Sequence, residues 1–186
     1  MASPTLNSWR KSKHLLLTGA ITVAVLAVAV VIVLMRTHAS SEPQELLLAD
    51  GTQVILLNGT HVVPSEGFPQ NRDIQIQGTG DVFVKARAQD KPLIVRTGLL
   101  ILTVEGESAF RAAVSAEKIG EQAEVLYGHV EAAKAYESRF SEPDVLVAGE
   151  MSMINRSIDL MEKEKFDPTE LAQWSKDVVA AAERHK

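Results

Sequence analysis

An uninterrupted apolar run near the amino terminus constrains this chain more than any other feature. From Leu15 to Met35 the sequence reads LLLTGAITVAVLAVAVVIVLM, which is 21 residues without a charged side chain. At a rise of about 1.5 Å per residue, a helix of this length spans the hydrocarbon core of a bilayer, which is about 30 Å thick. A helix buried in a soluble core would show some polar face, and this run has none. We therefore predict a transmembrane helix at 15–35.

The residues that flank the apolar run predict its orientation. Three basic residues lie in the tail at 1–14, whereas Arg36 alone follows the run before the first acidic residue, Glu42. The positive-inside rule places the amino terminus in the cytoplasm and the rest of the chain outside, in the periplasm of a bacterium with two membranes. A cleaved signal peptide is the alternative, because Thr37-His38-Ala39 is an acceptable cleavage site, although the apolar region of such peptides is usually about 7–15 residues long.

Charge and composition limit the partners of the remaining chain. Residues 36–186 hold 16 basic and 24 acidic side chains, a net charge of −8, with no basic stripe and no interleaved aromatic residues. Such a domain repels phosphate backbones, so we expect no nucleic-acid partner. The chain has no cysteine, which excludes disulfides and thiolate metal sites. A length of 186 residues favours one domain with appendages.

After a polar linker at 36–44, short runs rich in Val, Ile, Leu and Thr alternate with turn pairs such as Asp50-Gly51, Asn58-Gly59 and Thr97-Gly98. This pattern predicts β-strands, and in DIQIQ the alternation of isoleucine with polar residues indicates one buried face. The predicted strands are 45–48, 52–57, 73–77, 81–87, 93–97, 99–104, 108–114, 123–126, 129–133, and 145–147 with 150–153. We therefore predict an all-β domain at 45–153, a solenoid-like or sandwich stack of short strands. The strand spacing fits a sandwich, a barrel or a solenoid equally well.

The carboxyl-terminal segment, 154–186, changes character. Asp167-Pro168-Thr169-Glu170 has the residues of a helix start, with Asp as N-cap and Pro at the first helical position. Leu171, Trp174 and Val178 then recur at helical spacing and predict an amphipathic helix. Its apolar stripe docks either on the sheet of its own domain or on a partner chain, so these three residues are also the candidate partner-binding residues. The stretch Ile154–Phe166 is either a linker or a short preceding helix.

No sequence pattern indicates an enzyme. Ser108 lies in GESAF, which lacks the flanking glycines of a nucleophile elbow, and Gly78-Thr79-Gly80 lacks the third glycine of a dinucleotide fingerprint. The histidines are far apart and lack the spacing that places two metal ligands on one face; they are His14, His38, His61, His129 and His185. We therefore predict no catalytic residues, no metal and no cofactor.

The order of the strands and turns resembles a known family. The segments LLLADGTQVILLNGTHVV, QIQGTGDVFVKA, DKPLIVRTGLLILTVEGESAFRAAV, AEVLYGHVEAA and VLVAGEMSMI follow one another between Leu46 and Ile154. They resemble, in order, the six blocks of the periplasmic FecR-type domain. The matching residues are turn and core positions, called here the fold-signature residues: Asp50, Gly51, Asn58, Phe83, Thr97, Gly98, Gly106, Phe110, Gly128, Gly149 and Glu150.

The resemblance implies a function in transmembrane signalling. FecR-like proteins are single-pass inner-membrane regulators of the sigma and anti-sigma type, whose periplasmic domain receives a signal from a TonB-dependent transducer. The short tail at 1–14 predicts a shortened relative without the cytoplasmic anti-sigma domain, and Trp174 is not followed by the Lys-x-Gly that opens the family's second periplasmic subdomain. The implied partners are the inner membrane and a transducer or another FecR-like regulator, with the oligomeric state left open. The alternative is a structural or envelope-polymer-binding module that self-associates.

Overall fold

The computed structural model describes residues 42–139 and 142–184, and these form one sheet of eleven strands with one α-helix. The predicted transmembrane helix at 15–35 and the tail at 1–14 lie outside the described residues. Within the described part, no helix is long and apolar enough to cross a membrane. The strands are β1 (Gln44–Leu47), β2 (Gln53–Leu56), β3 (His61–Pro64), β4 (Asp73–Gln77), β5 (Gly80–Ala86), β6 (Leu93–Arg96), β7 (Leu100–Val114), β8 (Gly120–Lys134), β9 (Asp144–Val147), β10 (Glu150–Asn155) and β11 (Leu160–Lys165).

Two long strands, β7 and β8, organise the sheet. Each has 15 residues, and the two pair with each other along most of their length. The pairing shifts register near Glu105 and Ala109, and there the sheet bends. On one side of the bend, residues 108–114 and 120–127 join β1, β2, β5, β10 and β11. On the other side, residues 100–105 and 129–134 join β3, β4, β6 and β9.

The bend curls the sheet into a half-barrel around one hydrophobic core. Neighbouring strands are antiparallel, except that β4 and β6 run parallel. Val84, Phe110 and Val125 enter the core from the first side of the bend, and Leu102 and Leu146 enter it from the other; all five are fully buried. The prediction of a mostly β domain is confirmed. The sequence left open a sandwich, a barrel or a solenoid; the structure is instead a single sheet curled into a half-barrel.

The helix, α1 (Pro168–Glu183), lies on the outer face of the first side of the sheet. Asp167 is its N-cap and accepts a hydrogen bond from the Thr169 N–H at 2.9 Å, and Pro168 is its first residue, as predicted. Val178 and Ala182 form a second, smaller core with Ile55, Phe83 and Ala109. The apolar stripe of the helix therefore docks on its own sheet. We call this side of the bend the covered half and the other side the open half.

Several boundaries differ from the prediction. The strands predicted at 99–104 and 108–114 are one strand, β7, and those at 123–126 and 129–133 are one strand, β8. Within Ile154–Phe166, predicted as a linker or a short helix, β10 ends, a 3-10 turn follows (Arg156–Ile158), and β11 begins. β11 reads LMEKEK and is mostly exposed, so it has no apolar alternation to reveal it. β3 was likewise missed, since HVVP is mostly exposed.

Candidate interaction surface

Three polar clusters join the loops of the covered half to those of the open half. The first is centred on Arg72, which is 4% exposed and precedes β4. Its guanidinium donates to the Asp50 carboxylate at 2.9 Å, to the Lys91 carbonyl at 2.6 Å and to the Arg87 carbonyl at 3.1 Å. Asp50 also accepts from the Thr52 N–H and hydroxyl, both at 2.9 Å, which closes the β1–β2 turn. This cluster therefore ties that turn to the loop before β4.

The second cluster is centred on Glu121, which is 6% exposed at the start of β8. Its carboxylate accepts hydrogen bonds from the Thr97 hydroxyl, from the Leu99 N–H at 2.9 Å and from the Ser115 N–H at 3.4 Å. A Cβ at Gly98 would lie 2.8 Å from this carboxylate, so a larger residue would displace it. Glu121 thereby holds the β6–β7 turn against the covered half.

The third cluster is centred on Lys134 at the end of β8, whose side chain is 4% exposed. Its ammonium group donates to the Asp159 carboxylate at 2.8 Å, to the Asp159 carbonyl at 2.9 Å and to the Ser138 hydroxyl at 2.9 Å. The hydrogen bonds from Lys134 and Ser138 lower the pKa of Asp159 below its usual value. The ring of Tyr136 lies beneath the guanidinium of Arg156, 5.1 Å away. The charged groups of all three clusters are thus engaged in holding loops together.

Glycines permit the bend between the two halves. Gly106 in β7 and Gly128 in β8 have positive φ values, 72° and 88°. The Ser108 hydroxyl accepts from the His129 N–H at 3.1 Å and lies 3.3 Å from the His129 carbonyl, to which it donates. A Cβ at Gly128 would overlap this hydroxyl, so the site requires glycine. Ser108 therefore holds the two bent strands side by side.

The remaining fold-signature residues lie in turns or in the two cores. Asn58 has a positive φ of 55° in the exposed turn after β2, and Gly149 has one of 77° between β9 and β10. Phe110 is fully buried in the main core, and Phe83 is 5% exposed beneath α1. The structure thus places these residues apart from one another, each in a local structural role.

The three candidate partner-binding residues lie along one side of α1. Leu171 is 4% exposed and Val178 is 7% exposed. Trp174 is half-buried; its ring meets Phe83 edge-to-face at 6.0 Å between centroids and lies 5.1 Å from the Arg111 guanidinium. A partner would meet Leu171 and Val178 only after α1 leaves the sheet. Their binding of a partner stays a prediction.

The outer face of the open half carries mostly polar side chains together with the half-buried Ile94 and Ile101, and no described element covers it. The registers of β4, β6, β7, β8 and β9 align its residues in rows across the sheet. One row contains Asp73, Ile94, Thr103, Glu131 and Val145, and the next contains Gln75, Arg96, Ile101 and Ala133. A groove of about 430 Å³ on this face is lined by Thr103, Glu105, His129, Glu131 and Val145.

The strand β9 forms one edge of the open half. Val145 is 53% exposed and Val147 is 38% exposed, while Leu146 between them is buried in the main core. The Val147 N–H points away from β8 and donates to the Glu150 carboxylate at 3.2 Å. The Val145 carbonyl also points away and accepts from the Lys163 ammonium group at 3.2 Å. Glu150 and Lys163 are themselves 3.5 Å apart, and we call them the edge ion pair.

The described part of the chain holds no group of three or more histidines, cysteines or carboxylates placed to bind a metal ion. His61 lies 3.1 Å from the Gln77 side chain, and His129 lies on the open face. His14, His38 and His185 fall outside the described residues.

Sequence reasoning missed Arg72, Lys134 and Lys163. Their functions depend on carbonyl and carboxylate partners 15 to 25 residues away along the chain. Glu150, by contrast, was marked by the Gly-Glu turn, although its pairing with Lys163 of β11 was not foreseen. The exposed valines of β9 could have been found from the alternation in DVLV, where Leu146 alone faces the core.

Comparison with known proteins gives two findings. A sequence model of the family described as FecR protein matches residues 34–131, more than half of the 186 residues. Two crystal structures of a "putative anti-sigma factor" from Parabacteroides distasonis, at 1.65 and 2.50 Å resolution, have a TM-score of 0.61 to this structure and 25% sequence identity. Each match covers 73% of this chain and 61% of the solved chain, so this chain spans less than two thirds of its length. None of the curated proteins matches the sequence.

Proposed function

The chain belongs to the FecR protein family, and on this premise we propose that it is a membrane-anchored regulatory module that acts through protein–protein contacts. The family and the solved neighbours support a regulatory role in signalling. The solved neighbours are described as a putative anti-sigma factor, and we propose a role in the same type of signalling for this chain. The proposed partners are a TonB-dependent transducer or another FecR-like regulator.

The proposed location is the periplasmic side of the inner membrane. The apolar run at 15–35 supports an anchor, and the basic residues before it support a cytoplasmic amino terminus. With β1 beginning at Gln44, the sheet follows the run by only a few residues.

The observation that carries the proposal is the difference between the two outer faces of the sheet. The outer face of the covered half packs against α1, whereas that of the open half presents the groove and the β9 edge to solvent. The open face is mainly polar, with two exposed valines at its edge. Reversible protein interfaces have this mixed composition, with some apolar area inside a polar rim. We therefore assign partner contact to the open half.

The experiment that tests this function is photo-crosslinking in the native host. A photoreactive residue replaces Gln75 on the open face, and in the matched control it replaces Gln173, which is exposed on α1. Mass spectrometry then identifies the captured protein. We expect a transducer or a FecR-like regulator from position 75 and not from position 173. Equal capture from both positions, or none from position 75, would contradict the assignment.

The same experiment distinguishes the signalling function from the alternative, a structural or self-associating module. Capture of only a second copy of this chain, or of envelope polymer, would indicate a structural or self-associating module. In that outcome the fold of the family would be present without its signalling role.

A further inference from the structure

We propose that β9 is the docking strand of this protein and that it takes an extended, basic segment of a partner protein as an added strand. In the free protein, the edge ion pair of Glu150 and Lys163 occupies the backbone groups to which that strand binds. This inference rests on the proposed function and deepens it, since it names the docking edge and the chemistry of the partner.

Four strands of the described sheet pair on one side only: β1, β3, β9 and β11. Exposed side chains of alternating charge at 162–165 flank the free edge of β11, a common protection against strand addition. β3 ends at Pro64, which lacks an N–H, and β1 lies against α1. Each of these three strands also carries one exposed apolar residue: Leu47, Val63 and Leu160. β9 differs because it carries two, Val145 and Val147, and because the outward-pointing backbone groups of these same residues are bound, among the described residues, only by the side chains of Glu150 and Lys163.

The edge ion pair imitates an added strand. Lys163 supplies the donor that a partner N–H would supply to the Val145 carbonyl, and Glu150 supplies the acceptor that a partner carbonyl would supply to the Val147 N–H. In an antiparallel ladder, alternate residues point both backbone groups to the same side, so these two residues offer a ready pairing site. The side chain of Lys163 is 42% exposed and that of Glu150 is 15% exposed; with the lysine in water and a separation of 3.5 Å, the pair contributes only modestly to stability. A partner strand can therefore displace the pair.

Charge on the neighbouring strand indicates a basic partner. Glu131 lies directly opposite Val145 in the register, and Glu105 lies opposite His129. Within the described residues, Glu105 and Glu131 form no ion pair closer than 4.0 Å. Long lysine or arginine side chains on an added strand would lie beside the exposed valines and extend toward Glu131, which is two strands, or about 10 Å, away. Glu105, one strand further, adds to the negative potential of the face.

A second copy of this chain fits the same edge poorly. Residues 36–186 carry a net charge of −8, and two copies joined at β9 would bring their Glu131 side chains toward each other. Two acidic domains joined at this edge repel each other through their net charge. The observations thus favour a different protein that presents alternating basic and apolar residues.

The proposal is tested with synthetic peptides on the full chain in nonionic detergent. The probe is a fluorescent peptide of alternating lysine and valine, and the matched peptide alternates glutamate and valine. A third peptide is the lysine probe with N-methyl groups on all of its internal amides, which removes the donors from both edges and prevents strand pairing. Fluorescence anisotropy measures the dissociation constant of each. We expect the lysine probe to bind at least about tenfold more tightly than either comparison peptide, since it alone makes the backbone bonds and the charge contacts.

Two variants locate the binding site. Val147→Pro removes the outward N–H, and we expect binding of the lysine probe to be lost. Lys163→Met opens the Val145 carbonyl and removes a positive charge from the edge, and we expect about threefold tighter binding, as suits an exposed ion pair. Equal binding of all three peptides, or no response to either variant, would overturn the proposal. Because the peptide comparison uses the unaltered chain, it remains decisive if a variant fails to fold.

The peptide result and the crosslinking result can fail separately. Capture of a transducer from position 75 without selective peptide binding would leave the proposed function standing and remove β9 as the docking strand. Selective peptide binding at β9 without any captured regulator would support the edge and remove the signalling function. If light scattering shows that the chain dimerises and the lysine probe is released as it does so, the occupant of β9 is a second copy of the chain. That result would overturn the choice of partner.

Discussion

The covered half and the open half of the sheet share the strands β7 and β8, yet their outer faces differ. In the covered half the outer face presents Ile55, Phe83 and Ala109, which are buried beneath α1. In the open half the corresponding positions carry residues such as Gln75, Thr103 and Glu131, which are stable in contact with water. The comparison teaches that this sheet requires a cover on one half only. The other half remains available for reversible contact.

Two kinds of contact join the halves to each other. Apolar packing fills the space between them, whereas charged groups fix their loops: Arg72 with Asp50, Glu121 with the turn at Thr97, and Lys134 with Asp159. Variants that remove the packing of α1, the charged contacts between the loops and the pH-dependent contacts test, in that order, how far each half depends on the other.

The largest effect is expected from the cover. Phe83→Ala removes a ring that is 5% exposed and in contact with Trp174, and we expect the free energy of unfolding to fall by about 3–5 kcal/mol. Urea unfolding of the full chain in detergent measures the change. The control is Gln75→Ala on the open face, for which we expect a change within about 0.5 kcal/mol. Equal losses would show that the open face is packed as tightly as the covered one.

The second prediction concerns the tie between the β1–β2 turn and the loop before β4. Arg72→Met leaves the Asp50 carboxylate, whose side chain is 3% exposed, without its positive partner. We expect a loss of about 3 kcal/mol, because an unpaired buried charge is costly. The double variant Asp50→Asn with Arg72→Met is the control, since it removes both charges. It should recover part of the loss, and a purely additive double variant would argue against coupling of the two residues.

The third prediction concerns Glu121. Glu121→Gln removes the negative charge and leaves one oxygen acceptor for the Thr97 hydroxyl and the Leu99 N–H, while its NH₂ faces the Ser115 N–H. We expect a loss of about 2 kcal/mol from weaker and unsatisfied hydrogen bonds. Hydrogen exchange of the Leu99 amide in the full chain would show faster exchange. Glu162→Gln on exposed β11 is the matched control, with no change expected at Leu99. Unchanged protection of Leu99 in the first variant would mean that Glu121 does not hold the turn.

Much of the fold could be predicted because its signals are local. The strand DIQIQ was predicted with its observed bounds, Asp73–Gln77, since apolar alternation marks it, and the start of α1 was predicted from Asp167 and Pro168. The union of predicted strands into β7 and β8 was not foreseen, because Gly106 and Gly128 are turn residues in most contexts and here permit a bend within a paired strand.

The candidate surface was less accessible to sequence reasoning. The choice of β9 depends on the pairing of Glu150 with Lys163, which comes from another strand. Arg72 gives no sequence signal either, since its three acceptors lie on two other loops, the β1–β2 turn and the loop between β5 and β6. Such long-range polar contacts follow from topology, which short motifs do not encode.

The smallest expected effect is on the dependence of stability on pH. Hydrogen bonds from Lys134 and Ser138 lower the pKa of Asp159, and the Thr169 N–H lowers the pKa of Asp167 at the start of α1. The folded state therefore binds fewer protons at these groups than the unfolded state, whose aspartates titrate near 3.8. Both contributions are present above that pH, and they are lost as the pH falls from 3.8 through the folded-state values.

Asp159→Asn separates the contribution of the Asp159–Lys134 contact, which joins the two halves, from that of Asp167, the N-cap of α1. The variant should be less stable than the unaltered chain at pH 6, and the difference should shrink as the pH falls below 4, because protonation of Asp159 then removes the same ion pair with Lys134. Asp90→Asn, in the exposed loop after β5, is the control variant. Urea unfolding of the full chain between pH 6 and pH 3 gives both curves. No difference between the variant and the unaltered chain at pH 6 would show that Lys134 holds the turn at Asp159 through the backbone carbonyl, which it contacts at 2.9 Å and which asparagine retains, and not through the carboxylate.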